Sequence, residues 1–264
     1  MTKRITISTL DAMKASGDKF VMITAYDATF ARLASEAGAE TILVGDSLGM
    51  VLQGHETTIP VSLDAMVYHT ECVARAKPRS LIVADLPFMS FSNPDDALHA
   101  STQLMQAGAQ MVKLEGGTWL SDSINRLVER GVPVCAHLGL TPQSVNVFGG
   151  YRVQGRTPKA AKSILADAVE IQDAGASLLV LECIPAELAG DIASKLDIPV
   201  IGIGAGGGTD AQVLVLHDML GMTESAPKFV QNFMKGADSI QDALANFVRA
   251  VKSGEYPQEE HTYS

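Results

Sequence analysis

Cysteine is scarce in this sequence. Cys72, Cys135 and Cys183 are the only three in 264 residues, and none forms a CxxC pair. A scattered, odd set excludes a disulfide framework and fits buried thiols in a reducing cytoplasm. No His/Cys spacing suggests a zinc site either. Long hydrophobic runs are also missing. Nothing approaches the ~18 consecutive apolar residues of a membrane span, and the opening stretch MTKRITISTLDAMKASGDK has no signal-peptide core. Basic residues are outnumbered, with 20 Lys+Arg against 30 Asp+Glu and a formal net charge of −10. That excludes a general nucleic-acid binder, which needs a basic surface. It leaves an anionic substrate open, because one metal ion and one lysine can invert the local field. The expectation is a soluble cytoplasmic protein with no membrane or nucleic-acid partner.

What the chain does have is apolar residues, 47% of the total, enough for one sizeable core. They fall in eight short runs: Phe20–Thr24, Thr41–Val44, Leu81–Ala84, Met111–Leu114, Val134–His137, Leu178–Leu181, Val200–Ile203 and Val213–Leu216. The runs are continuous, as in parallel strands buried on both faces. Segments of helical periodicity lie between them: 28–37, 63–76, 94–107, 120–130, 160–174 and 186–195. Strand–helix alternation repeated eight times predicts a single-domain (β/α)8 barrel over residues 1–264, with a doubly wound open sheet as the alternative. Residues 227–252 read as one or two further helices. The tail from 254 to 264 has no core signal and reads as mobile or ordered by a neighbouring subunit.

An internal repeat marks three connections. Ala37-Gly-Ala39, Ala107-Gly-Ala109 and Ala174-Gly-Ala176 each precede a strand, with the glycine where a helix must end. An acidic residue closes each of those strands. Barrel active sites sit at the carboxyl ends of the strands, so the rim residues matter most. Asp46, Asp85, Glu115 and Glu182 end very apolar strands, where a lone carboxylate is costly unless paired or metal-bound. Any single one could instead cap the next helix. Four on one rim point to a site.

Asp46, Asp85 and Glu115 come from three neighbouring strands and offer the oxygen ligands that suit Mg2+. Lys113 shares a strand face with Glu115; it either pairs with these acids or binds a substrate carboxylate. Glu182 is expected on another part of the rim, where its apolar surroundings suit a general base. His137 either hydrogen-bonds substrate or is a satisfied core histidine. The stretch Gly202–Gly208 contains GxGxxG without the rest of a dinucleotide-binding unit, so close packing explains it better than a phosphate cradle. The long connections 46–61 and 138–158 are candidate substrate loops.

Several long motifs then carry a resemblance. They are LVGDSLGM at 43–50 with Gly54-His55, ADLPFM at 84–89, VKLEGG at 112–117, HLGLTPQS at 137–144, FGGY at 148–151 with VQG at 153–155, Leu181-Glu182 and IGIGAG at 201–206. Together with Tyr256-Pro257 and Glu259–His261 they resemble the ketopantoate hydroxymethyltransferase family over nearly the whole chain. Ala211 departs from the pattern, where a glycine is expected, outside the chemical positions. The resemblance implies transfer of a one-carbon unit from 5,10-methylenetetrahydrofolate to 3-methyl-2-oxobutanoate. It implies Mg2+ near Asp46, Asp85 and Glu115, substrate contacts from Ser47 and Lys113, and Glu182 as proton acceptor. It also implies a large homo-oligomer, typically a decamer. The competing enzyme reading is a lyase or mutase on a related Mg2+-dependent 2-oxo acid barrel.

Overall fold

The computed structural model describes residues 4–264. In chain order its elements are α1 Ile7–Ser16, β1 Phe20–Thr24, α2 Ala28–Ala37, β2 Thr41–Val44, the single turn α3 Leu48–Val51, α4 Leu63–Arg75, β3 Leu81–Asp85, α5 Pro94–Ala107, β4 Met111–Glu115 and α6 Ser121–Glu129. The second half holds β5 Val134–Gly139, the short α7 Val145–Phe148, α8 Pro158–Asp173, β6 Leu178–Glu182, α9 Ala186–Lys195, β7 Val200–Ile203, β8 Ala211–Leu214, the short α10 Leu216–Met219 and α11 Ile240–Ser253. The eight strands pair in parallel in sequence order, and β8 returns to β1 to close the barrel. Closure removes every sheet edge, and the open-sheet alternative falls with it.

Local chemistry sets the element ends. Ser62, Asn93, Thr157 and Ser239 cap α4, α5, α8 and α11 through their side chains. Asp27 does the same for α2, accepting from the Phe30 N–H at 2.9 Å. Asp27, the acid that follows β1, is thus a helix cap. The repeat glycines adopt the left-handed backbone the sequence called for, with φ of 98° at Gly38, 112° at Gly108 and 106° at Gly175. No helix among the described residues is long and apolar enough to cross a membrane.

Three expectations need correction. The eighth strand is Ala211–Leu214, two residues earlier than Val213–Leu216, and Leu216 starts a helical turn. Its interior residue Gln212 is polar but buried, donating to the Gly206 carbonyl and the Thr209 hydroxyl, so an apolar run could not find it. Within 227–252 only Ile240–Ser253 is helical; the segment before it packs Phe229 and Phe233 into the core as turns. The tail packs on the chain's own barrel. Tyr256 and His261 are buried, the Tyr256 hydroxyl donates to the Phe229 carbonyl at 2.6 Å, and the Ala186 N–H donates to the Tyr263 carbonyl at 3.0 Å. Helix α1 went unread because its pattern is weakly amphipathic. It is tied to the amino-terminal end of the barrel by Lys14, which donates to Asp210 at 2.7 Å and to the Ala193 carbonyl at 2.9 Å.

Candidate active site

Strand register assembles the site. Lys113 lies opposite Asp85 across β3–β4, Glu115 opposite His137 across β4–β5, and Gly139 opposite Glu182 across β5–β6. With side chains alternating along each strand, Lys113, Glu115 and His137 meet at the carboxyl end of the barrel. The Lys113 ammonium sits 2.7 Å from Asp85 Oδ1 and 3.7 Å from Glu115 Oε1, with all three side chains buried. Asp46, two residues past β2, presents its N–H to Asp85 Oδ2 at 3.1 Å.

His137 stands between two carboxylates, with Nδ1 3.2 Å from Glu115 and Nε2 3.3 Å from Glu182. Glu182 is therefore joined to the acidic cluster through one imidazole, where the sequence had set it apart. Its side chain is 15% exposed against 3% for Glu115 and Asp85, which makes it the more open to a bound molecule.

Electrostatics explain the strain in this arrangement. Among the described residues, Asp46, Asp85, Glu115 and Glu182 face only Lys113 and His137 as potential cations. Burial, then the charges of Asp85 and Glu115, hold the Asp46 carboxyl well above the usual carboxylate range. Asp85 is also raised, chiefly by burial. Burial works against charge on Lys113 too, but Asp85, Glu115 and Asp46 outweigh it and hold the ammonium protonated. For His137, burial and Lys113 oppose protonation, yet the two flanking glutamates raise it to about 9. Glu115 is also buried, but His137, Lys113 and the Gln143 N–H bring it below its ordinary value. Four ionised carboxylates against two cations would leave two negative charges in excess; the raised Asp46 and Asp85 reflect that crowding, which a divalent cation would relieve.

Gln143 is the residue that reading the rim missed. It is buried in the 138–158 connection, where its Nε2 donates to Asp46 Oδ2 at 2.8 Å and to the Leu86 carbonyl at 2.9 Å, and its N–H donates to Glu115 Oε2 at 3.0 Å. The signals for it were the length of that loop and its place in the motif HLGLTPQS at 137–144. Tyr26 was missed as well; its hydroxyl lies 2.9 Å from Ser47 Oγ, fixing that serine beside Asp46. The Gly202–Gly208 stretch is a packing device: a Cβ on Gly206 would fall 2.5 Å from Ala186 Cβ, and one on Gly204 2.7 Å from Phe229.

Gly139 fixes the backbone of Glu182. It sits at φ 91°, and a Cβ there would lie 2.3 Å from the Glu182 carbonyl oxygen. Gly139→Ala is expected to lose about 1–3 kcal/mol of stability in denaturant unfolding, from left-handed strain plus the clash. A variant of wild-type stability would show that this contact relaxes freely.

A closed parallel barrel whose carboxyl end gathers buried, coupled acids around a lysine and a histidine defines a (β/α)8-barrel enzyme. Solved structures agree on the fold. A phosphonopyruvate hydrolase in complex with oxalate and Mg2+ superposes with a TM-score of 0.62 at 13% identity, covering 97% of this chain and 92% of that one. A 2,3-dimethylmalate lyase of the PEP mutase/isocitrate lyase superfamily gives 0.57 at 16% identity, covering 79% and 80%. The chain belongs to the ketopantoate hydroxymethyltransferase family, whose model matches residues 4–259. It is 58% identical over 262 residues to a protein named 3-methyl-2-oxobutanoate hydroxymethyltransferase 2 from Pseudomonas entomophila, covering 98% of each. It is also 58% identical over 260 residues to a 3-methyl-2-oxobutanoate hydroxymethyltransferase from Marinobacter nauticus, again covering 98% of each.

Proposed function

We propose that this chain transfers a hydroxymethyl group from 5,10-methylenetetrahydrofolate to 3-methyl-2-oxobutanoate, giving 2-dehydropantoate for pantothenate and coenzyme A synthesis. Family membership supports the substrate class. The observation that carries the mechanism is the buried acidic cluster with Glu182 as its most open member.

The residues fit a magnesium ion. Among the described residues no three Asp, Glu, His or Cys side chains already stand as a ligand cage. Magnesium needs none, since it is commonly held by one or two carboxylates and completed by water and substrate oxygens. Asp46 and Asp85 would hold it. Asp46 Oδ1 accepts no hydrogen bond among the described residues and is the open ligand atom. Asp85 lies directly against it through the Asp46 N–H, with Lys113 at its other oxygen, while the Glu115 oxygens are turned to His137 and the Gln143 N–H. Glu115 then contributes charge beside the ion. When bound, the cation supplies Lewis acidity to a 2-oxo acid's ketone and carboxylate oxygens, which lowers the pKa of the C3 proton.

Lys113 and Ser47 orient the substrate, with Lys113 directed at its carboxylate. Glu182 takes the C3 proton. His137, with Nδ1 toward Glu115 and Nε2 toward Glu182, positions that base, and would hydrogen-bond substrate only through the Nε2 edge it shares with Glu182. The donor's methylene carbon is held by two C–N bonds. One opens as the C3 carbanion bonds to that carbon, and the second breaks as the oxygen of water takes its place. The two nitrogens take up the C3 proton and one proton of water, so tetrahydrofolate leaves. A cytoplasmic location fits the three free cysteines, and family membership supports a decameric homo-oligomer.

Metal binding has a readout of its own. Magnesium at a hundredfold its Kd is expected to raise unfolding stability by about 2.7 kcal/mol, and Asp46→Asn or Asp85→Asn is expected to abolish that gain. Identical melting of the wild type in Mg2+ and in EDTA would remove the ion from this site.

A further inference from the structure

The rim residues account for the oxo acid and the base but leave the one-carbon carrier without a place. A cavity of about 530 Å³ opens beside them, within the range of small-molecule sites. Its floor is Glu115 and Gly139, the last residues of β4 and β5. Gly139 is the register partner of Glu182, so the floor lies on the strand next to the base. Free formaldehyde would need no such space; a carrier built on a ring system would.

The walls are chemically specific. Gly116 and Gly117 have no room for side chains. A Cβ on Gly116 would lie 2.6 Å from the Trp119 ring, and one on Gly117 2.7 Å from the Asp167 carboxyl. This glycine pair draws an indole and a carboxylate onto the strand end, a purpose the rim chemistry does not explain. Trp119 stacks on Phe91, with centroids 6.1 Å apart and planes at 15°, and remains 62% exposed. A large aromatic ring left that open, on the wall of a cavity, offers an apolar ledge for another flat ring. Asp167 Oδ1 accepts from the Thr118 N–H at 3.0 Å and from its hydroxyl, which fixes the carboxylate. Its other oxygen accepts from no described residue. Thr141 is 7% exposed and lines the cavity, yet its hydroxyl has no hydrogen-bond partner among the described residues. At the outer end Lys159, in the first turn of α8, stands ready for an anionic tail.

We propose that this cavity holds the pterin of the folate donor, with the ring on Trp119, its adjacent N–H groups donating to Asp167 and the glutamate tail reaching Lys159. The inference rests on the folate-dependent reading given above. The reciprocal chemistry is good: a 2-amino-4-oxo ring presents neighbouring donors that a fixed carboxylate matches.

Asp167→Asn tests it, because the amide keeps the acceptor toward Thr118 and replaces the second oxygen with a donor. Its KM for 5,10-methylenetetrahydrofolate is expected to rise about tenfold, the loss of a charge-assisted hydrogen bond. The KM for 3-methyl-2-oxobutanoate and its Mg2+-dependent C3-proton exchange in D2O are expected to stay as in the wild type. Ala160→Phe, which fills the cavity from α8, is expected to give the same split between the two substrates. Trp119 is the only tryptophan of the chain, so tetrahydrofolate should quench emission saturably in the wild type and far more weakly in Ala160→Phe. A wild type that exchanges the C3 proton, with variants whose donor KM and quenching match its own, overturns the pocket alone. A wild type that exchanges no proton in the presence of both substrates overturns the functional reading and the pocket with it.

Discussion

Glu182→Gln is expected to bind 3-methyl-2-oxobutanoate as the wild type does and to turn it over 10²- to 10⁴-fold more slowly, about the contribution of a positioned general base. The substitution keeps the shape of the side chain and its approach to His137, 3.3 Å from Nε2. It removes the negative charge, and with it the ability to accept a proton and part of what raises the His137 pKa. Because Glu182 lies outside the Asp46–Asp85 pair, Mg2+-dependent stabilisation should be unaffected. Calorimetric titration with the oxo acid beside steady-state rates would separate the two effects. A variant with normal kcat would take the base role from Glu182. A variant whose kcat/KM falls because it no longer binds the oxo acid would make Glu182 a binding group instead.

Lys113→Met carries the largest expected stability effect. The ammonium is buried with Asp85 at 2.7 Å and Glu115 at 3.7 Å. Replacing it with an apolar chain of similar length leaves those carboxylates buried without their partner, which typically costs about 3–5 kcal/mol. The oxo acid should bind much more weakly, since the proposed carboxylate contact is gone as well. The two roles can be told apart. Magnesium returns positive charge to the cluster, so it should stabilise Lys113→Met more than it stabilises the wild type. Substrate affinity should stay poor even in saturating metal. Full recovery of KM with metal would reduce Lys113 to a charge-balancing residue, the alternative its position among three acids left open.

How much of this was readable beforehand depends on how local the signal was. Continuous apolar runs such as Thr41–Val44 and Val200–Ile203 marked their strands to the residue, because a parallel strand buried on both faces has no polar alternation to blur it. The rim acids were legible for the same reason: Asp85, Glu115 and Glu182 each close such a strand. What depended on partners far along the chain was not. Gln143 reaches Asp46, 97 residues earlier, and nothing in a Thr-Pro-Gln loop announces that. Gln212 disguised β8 because its hydrogen bonds are made in three dimensions. Glu182 looked separate from the other acids because only register, Glu115 opposite His137 and Gly139 opposite Glu182, brings them to one imidazole. The tail lacked a hydrophobic pattern because single residues, Tyr256 and His261, do its anchoring.

The most direct test follows the C3 proton of 3-methyl-2-oxobutanoate by NMR in D2O, with no folate present, in Mg2+ and then in EDTA. Exchange that requires the metal is the expected result, since Glu182 can take that proton only when the neighbouring oxygens are polarised. Exchange that is as fast in EDTA would contradict the metal's part. No exchange in Mg2+, even after tetrahydrofolate is added, would contradict the enolisation itself and favour a lyase or mutase acting on another 2-oxo acid.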